Sequence, residues 1–173
     1  MDRLRTLEYY KKFSSSEFED KNYYQGEDLG AVWTSDKTQF RVWAPTASQV
    51  IVHLYKTGER EDLFATIPMR REEQGTWVSI VDGDLNGTYY NYSVTVDDET
   101  KIAVDPYAKA VGVNGNRGMV IDLFATNPPG FLEEGRPEFL HATDSIIYEL
   151  HIRDFSSNSS SGMKNVGKYL AFT

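Results

Sequence analysis

Cysteine is absent from the 173 residues of the sequence. This absence excludes disulfides, zinc sites built on thiolates, iron–sulfur clusters and cysteine nucleophiles. The three histidines, His53, His141 and His151, lie far apart along the chain, and their spacing is not that of metal ligands. We therefore expect neither a metal site nor a bound cofactor.

Long apolar runs and clusters of basic residues are also missing. No stretch approaches the roughly 18 apolar residues that cross a bilayer, and Met1–Leu7 leads into polar sequence instead of a secretory apolar segment. Eighteen Lys and Arg against 26 Asp and Glu give a net charge of −8, without the basic runs that bind phosphate backbones. The sequence predicts no nucleic-acid or membrane partner and a cytoplasmic chain, unless a leader has been removed.

Aromatic and β-branched residues supply what a folded core needs. Hydrophobic residues make up 40% of the sequence and aromatic residues 13%, a composition typical of globular domains. From Gly30 to about Phe124, short alternating runs are separated by turn dipeptides, which predicts a β-sandwich over residues 30–124. The predicted strands are Phe40–Trp43, Val50–Tyr55, Trp77–Val81, Tyr89–Val96, Ile102–Val104 and Met119–Leu123.

The sequence before and directly after this region has a different pattern. Residues 1–29 form a polar and aromatic N-terminal extension, in which Ser16 followed by Glu19 predicts the start of a helix. Residues 125–144 combine proline, glycine and few regular runs, which is typical of a connector.

The last segment resembles the opening of a β/α unit. Ser145–Phe155 alternates like a strand, and Met163–Thr173 has apolar residues at helical spacing. Such a unit needs neighbouring strands to bury its faces, and the 29 residues from Ser145 onward are far fewer than the roughly 250 of a complete barrel. The sequence therefore predicts the truncated start of a barrel. Arg153 and Asp154 are interpreted as a buried structural ion pair, and the alternative is a polar border of a substrate cleft.

The aromatic residues of the predicted strands are the expected core. Trp43 and Trp77 lie inside alternating strands, so core packing is the favoured interpretation for both. The same holds for Tyr90 and Tyr92, which share one strand face. Trp33 is the most open of the three tryptophans.

Five segments occur in a recognisable order: Gly30–Thr34, Phe40–Ala47, Gly87–Tyr92, Asp105–Gly115 and Ile147–Ser156. Together they resemble the type I pullulanases, starch-debranching enzymes of the α-amylase (glycoside hydrolase 13) superfamily. The first two alone are similar to many family 48 carbohydrate-binding modules and isoamylase-type N-terminal domains. The Asp105 segment and the final Gly162–Thr173 are more specifically similar to pullulanase.

This resemblance implies a mainly β fold. An immunoglobulin-like β-sandwich of the family 48 type would span residues 30–124, and residues 145–173 would hold the first strand and the start of the first helix of a catalytic (β/α)8 barrel. In such enzymes the barrel hydrolyses α-1,6-glucosidic links with an Asp nucleophile, a Glu acid/base and a second Asp. All three belong to later barrel strands, so no catalytic residue is assigned to this chain. We expect it to be inactive alone, with the missing barrel portion in cis or in a second chain.

The resemblance implies sugar binding through exposed aromatic rings, which stack on the apolar faces of glucose while polar groups contact its hydroxyls. Trp33 is then the first candidate for a sugar contact. The resemblance also directs attention to the loop after the second predicted strand. Strongly glycogen-binding relatives carry a tryptophan there, whereas this sequence reads Leu54–Gly58, so Tyr55 and Lys56 would have to serve beside Trp33. We expect weak binding of an α-glucan such as starch, glycogen or pullulan. The alternative is a stand-alone α-glucan-binding or regulatory module without enzymatic activity. Ser145–Thr173 favours the enzyme reading, because a stand-alone module would leave its apolar strand exposed.

Overall fold

The computed structural model describes residues 3–135 and 138–173, with side chains from residue 6 onward. The start of the predicted N-terminal extension, Met1–Asp2, and the Arg136–Pro137 part of the predicted connector lie outside the described residues. The chain divides into a first unit that ends at Pro128 and a second unit over Pro129–Thr173. Within the described ranges, no helix is both long and apolar enough to cross a membrane.

Two antiparallel sheets make up most of the first unit. The strands of the described residues are β1 Gly30–Trp33, β2 Lys37–Trp43, β3 Gln49–Tyr55, β4 Leu63–Pro68, β5 Arg70–Arg71, β6 Thr76–Asp82, β7 Tyr89–Val96, β8 Glu99–Ala103 and β9 Gly118–Met119. The first sheet has the order β1-β2-β6-β5, and the second has the order β4-β3-β7-β8, with β9 also paired to β7. The mainly β fold is confirmed. The sequence analysis did not predict β1, β4 or β5.

The hydrophobic core lies between these sheets, where strand alternation places every second side chain. Phe40 and Val42 of the first sheet meet Val52 of the second sheet there. Tyr90 and Tyr92, at 0% and 1% exposure, confirm the predicted core face of β7. Each large side chain buried in this way contributes about 1.5–3 kcal/mol to folding.

A buried carboxylate satisfies the hydroxyls of the two core tyrosines. The Tyr90 hydroxyl donates to Oδ2 of Asp105 at 2.8 Å, and the Tyr92 hydroxyl donates to the same oxygen at 3.3 Å. The other carboxylate oxygen, Oδ1, accepts the backbone N–H of Tyr107 at 2.9 Å. Burial raises the pKa of Asp105, although these hydrogen bonds oppose the shift. The chain that follows β8 is thereby tied to the core.

The N-terminal residues form a helical hairpin, α1 Arg3–Phe13 and α2 Ser16–Asn22, within the same unit. The helix predicted to start near Ser16 is present, but its N-cap is Ser15, one residue earlier than predicted: Ser15 has extended backbone angles and its Oγ accepts the Phe18 N–H at 3.2 Å. The Tyr9 hydroxyl of α1 donates to Asp97 Oδ2 at 2.6 Å, which joins the hairpin to the turn after β7.

The strand predicted over Ser145–Phe155 is wrong for this structure. Residues 145–150 form no regular element, and a short helix, α3, spans Ile152–Ser157 instead. A strand requires hydrogen bonds to a neighbour, and no described segment pairs with these residues. The alternating pattern alone therefore did not produce a strand.

The predicted ion pair between Arg153 and Asp154 is also wrong. Both side chains are exposed, and Asp154 instead lies 3.3 Å from Nδ1 of His151, which precedes α3. Met163–Thr173, where the spacing of apolar residues predicted a helix, contains a short 3-10 helix at Tyr169–Phe172. The 3-10 helices of the described residues are Glu73–Gly75, Val113–Gly115, Phe124–Thr126, Ala142–Asp144, Ser159–Ser161 and Tyr169–Phe172.

Replacement of Asp105 by alanine is expected to lower the free energy of unfolding by about 2–4 kcal/mol, because two buried tyrosine hydroxyls lose their acceptor. Urea denaturation of the full chain measures this change. The matched control Asp20→Ala, at an exposed position on α2, is expected to stay within about 0.5 kcal/mol of the unaltered chain. Equal midpoints for the two variants would contradict the structural role of Asp105.

Candidate functional site

The three residues predicted to contact sugar lie on different sheets. Trp33 ends β1 at the edge of the first sheet, whereas Tyr55 ends β3 in the second sheet and Lys56 follows it. The connection between β6 and β7 runs from the Trp33 side of the first sheet to the Tyr55 side of the second sheet. Its Asp84 contacts Trp33, and Tyr89, the first residue of β7, pairs with Tyr55.

Trp33 is a half-buried ring held in a fixed orientation. Its Nε1 donates to Oδ1 of Asp84 at 2.8 Å, and the ring packs against the edge of the core. The N–H of Asn86 also donates to this carboxylate oxygen at 2.9 Å. These hydrogen bonds hold the pKa of Asp84 below its ordinary value. The indole N–H of Trp33 is therefore engaged within the protein.

Tyr55 has one ring face covered. The guanidinium carbon of Arg117 lies 3.5 Å from the ring centroid, a close cation–π contact. The hydroxyl of Tyr55 donates to Oδ1 of Asn91 at 3.2 Å. A sugar that stacks on Tyr55 would use the ring face opposite the guanidinium.

Arg117 also clamps the loop that carries Lys56. Its buried guanidinium donates through Nη1 to the carbonyl oxygens of Thr57 at 2.7 Å and Arg60 at 2.8 Å. Lys56 itself is exposed beside this clamp. The sequence analysis missed Arg117, because a single arginine after a turn carries no local signal that it contacts residues almost 60 positions earlier.

Polar side chains continue from Tyr55 along the outer face of the second sheet. Nε2 of His53 lies 2.6 Å from Oγ of Ser93 on β7, and Nδ1 lies 3.2 Å from Oγ1 of Thr66 on β4. Burial lowers the pKa of His53, which favours the neutral imidazole. This face combines a tyrosine ring with neutral donors and acceptors, the groups that contact glucose rings and their hydroxyls.

The predicted core position of Trp43 is wrong, whereas that of Trp77 is confirmed. Phe40 and Val42 of β2 point into the core, so the alternation turns Trp43 outward, where it is 38% exposed. Its Nε1 donates to the backbone oxygens of Asn22 at 2.7 Å and Gln74 at 3.1 Å. Trp43 is thus a fixed and partly open ring on the outer face of the first sheet.

Comparison with known proteins identifies the sandwich. Residues 28–108 match the family described as carbohydrate-binding module 48 (isoamylase N-terminal domain). The pullulanase of Bacillus subtilis (strain 168) is 44% identical over 161 residues, which cover 90% of this chain and 21% of that protein. The chloroplastic pullulanase 1 of Arabidopsis thaliana is 35% identical over 156 residues, which cover 84% of this chain and 16% of that protein.

Solved structures agree with this comparison. The pullulanase from Bacillus acidopullulyticus matches with a TM-score of 0.79 and 48% identity, over 88% of this chain and 19% of that one. The pullulanase from Paenibacillus barengoltzii, in complex with maltohexaose and α-cyclodextrin, matches with a TM-score of 0.81 and 44% identity, over 91% of this chain and 24% of that one. The chain spans about a fifth of the length of these relatives.

Residues 28–108 are thus similar to carbohydrate-binding module 48, and the two-sheet fold agrees with that match. The chain as a whole corresponds to the part of the pullulanases that carries this module. The resemblance to type I pullulanases is therefore confirmed.

The free energy of unfolding is expected to decrease as the pH is lowered from about 7 to about 5, partly because of His53. Burial holds the pKa of His53 below its ordinary 6.5, so below that pH the unfolded chain takes up a proton that the folded chain does not bind. Urea denaturation across this range measures the fall, which should be smaller in His53→Gln. His141→Gln, at an exposed position, should keep the original slope. Identical slopes for His53→Gln and the unaltered chain would contradict the assignment.

Proposed function

We propose that this chain supplies a non-catalytic, α-glucan-binding β-sandwich to a hydrolase that cleaves α-1,6-glucosidic branch links. The observation that carries the proposal is the pullulanase match, which extends over 90% of the chain at 44% identity. The match continues well beyond the module at residues 28–108. The module would hold or orient the glucan while another part of the enzyme performs the hydrolysis.

The glucan-binding surface would be the outer face of the second sheet around Tyr55 and Lys56. The face of the Tyr55 ring opposite Arg117 would be the stacking surface, and Lys56 and the neutral groups beside Tyr55 would form hydrogen bonds to hydroxyls. Trp33 would extend this surface across the connection between β6 and β7. A linear α-glucan is the expected ligand, and the relative from Paenibacillus barengoltzii was solved with maltohexaose and α-cyclodextrin.

Weak binding is expected for two structural reasons. Arg117 covers one face of Tyr55, so a single ring face is left for sugar. The indole N–H of Trp33 is already bonded to Asp84 and does not contribute a new hydrogen bond to a ligand. With one or two stacking contacts, affinity for a short glucan would be about millimolar.

Ser145–Thr173 would form the start of the catalytic barrel when the remaining strands are present, in cis or in a second chain. Two arguments support this. The similarity to pullulanase includes most of the chain. A parallel barrel strand also depends on hydrogen bonds to neighbouring strands. The unpaired backbone of residues 145–150 in this structure is compatible with such a later pairing.

A stand-alone glucan-binding module is the second candidate. One observation favours it: the core cluster of the described residues is built from side chains between Phe40 and Val120, so the sandwich closes without the second unit. The two candidates agree on glucan binding and differ on whether an attached barrel hydrolyses the glucan.

The purified 173-residue chain is expected to hydrolyse neither pullulan nor starch, because none of its residues is assigned as nucleophile or acid/base. Release of reducing ends measures hydrolysis, with a complete pullulanase as the positive control. Reducing ends formed by the pure chain above the buffer rate would overturn the non-catalytic assignment.

Maltohexaose is expected to bind the full chain with a dissociation constant of about 1 mM. Tyr55→Ala should raise that constant at least about fivefold, because loss of one stacking contact costs about 1 kcal/mol. Isothermal titration calorimetry measures both constants. The control Tyr148→Ala removes an exposed tyrosine of the second unit and should leave the affinity unchanged. Equal effects of the two substitutions would place the binding surface elsewhere.

A further inference from the structure

We propose that the chain has a second α-glucan-binding site, a groove between the α1–α2 hairpin and the outer face of the first sheet, centred on Trp43 and Tyr23. We call it the hairpin groove. Its ligand class rests on the proposed glucan-binding function, whereas its location rests on different residues.

Two cavities on one side of α2 form the hairpin groove. Their volumes are about 350 and 140 Å³, and Asn22, Tyr23 and Trp43 line both of them. Another cavity, of about 370 Å³, lies on the opposite side of α2, where Glu17 and Lys21 line it, and it is not part of the groove.

The middle of the groove is aromatic. Phe13, Phe18, Tyr23 and Trp43 line it, and Tyr23 is 57% exposed. The rings of Phe13 and Phe18 meet edge to face at 5.1 Å, which keeps this wall in place. Open ring faces in a groove are the surfaces on which the apolar faces of glucose stack.

Trp43 is ordered before any ligand arrives. Its indole N–H is held by the carbonyl oxygens of Asn22 on α2 and Gln74 on the turn before β6. A ring that is already fixed loses little conformational entropy on binding. The bond to Asn22 also ties α2 to the first sheet, which fixes Trp43 beside the hairpin.

Polar side chains complete the lining of the groove. Ser14, Glu19 and Asn22 lie beside the aromatic rings. A carboxylate without a cation among the lining residues disfavours a phosphate or another anion. Hydroxyl, amide and carboxylate groups instead suit the hydroxyl groups of a sugar, each of which both donates and accepts.

The hairpin groove is separate from the surface around Tyr55. The family match begins at residue 28, so the whole α1–α2 hairpin precedes it. The groove uses the first sheet, whereas Tyr55 and Lys56 belong to the second. Two weak sites on one module would raise its affinity for a long glucan relative to a short one, provided that the glucan reaches both sites.

Nuclear magnetic resonance of the full 173-residue chain with maltohexaose tests the proposal, because the three tryptophan indole N–H signals report on different places. We expect the Trp43 signal to shift and saturate, and the core Trp77 signal to stay unchanged. Tyr23→Ser should raise the dissociation constant read at Trp43 at least about fivefold. The matched control Tyr10→Ser, on α1 at a 70% exposed position outside the lining of the groove, should leave it unchanged.

The outcomes separate this inference from the proposed function. If the titration moves signals around Tyr55 while the Trp43 signal stays fixed at saturating sugar, the groove is not a glucan site and the proposed function stands. An unchanged dissociation constant at Trp43 in Tyr55→Ala would support an independent second site. If sodium phosphate shifts the Trp43 signal and maltohexaose does not, the groove is an anion site and the inference is overturned. If Tyr23→Ser lowers the melting temperature, the Trp43 signal of the unaltered chain in the maltohexaose titration still tests whether the groove binds glucan.

Discussion

The carboxylate of Asp105, buried against the hydroxyls of Tyr90 and Tyr92, is the constraint on which the sandwich depends. The alternation of β7 places both tyrosines in the core, and their hydroxyls need an acceptor there. Asp105 meets this need, which directs the chain after β8 back across the core. Burial of the carboxylate opposes its ionisation, so the same contact that orders the chain also carries an electrostatic cost.

The path set by Asp105 also determines how the first sheet begins. Tyr107, whose N–H is bound by Asp105, approaches Gly30 at the start of β1 so closely that a Cβ there would lie 2.8 Å from the Tyr107 carbonyl oxygen. Gly30 also has a φ of +96°, which side chains rarely adopt. Glycine is therefore needed at this position. The second sheet, the returning chain and the edge of the first sheet are connected through these few contacts.

Local alternation was enough to predict the main strands and the burial of Tyr90, Tyr92 and Trp77, because a strand with one buried face has period two. For Trp43 the same alternation, with Phe40 and Val42 inward, indicates an outward side chain, and the prediction of core packing was wrong because it used only the location of Trp43 inside a strand. The strand predicted over Ser145–Phe155 failed because strand formation depends on a neighbour that local sequence does not supply.

The candidate site was predicted less completely than the fold. Tyr55 and Lys56 were proposed from the family resemblance, but the residues that contact them were not predicted. Arg117 contacts Thr57 and Arg60 across 60 and 57 positions of sequence, and contacts over such sequence distances leave no local pattern. The guanidinium ties this loop and also covers one face of the Tyr55 ring.

The central claim is that this chain is a glucan-binding module with its stacking surface at Tyr55. A crystal structure of the chain grown with maltohexaose tests it most directly. The account predicts a glucose unit packed on the ring face of Tyr55 opposite Arg117, with a hydroxyl near Lys56. A structure in which maltohexaose is well ordered elsewhere, while Tyr55 and Lys56 are open to solvent and bare of sugar, would contradict it.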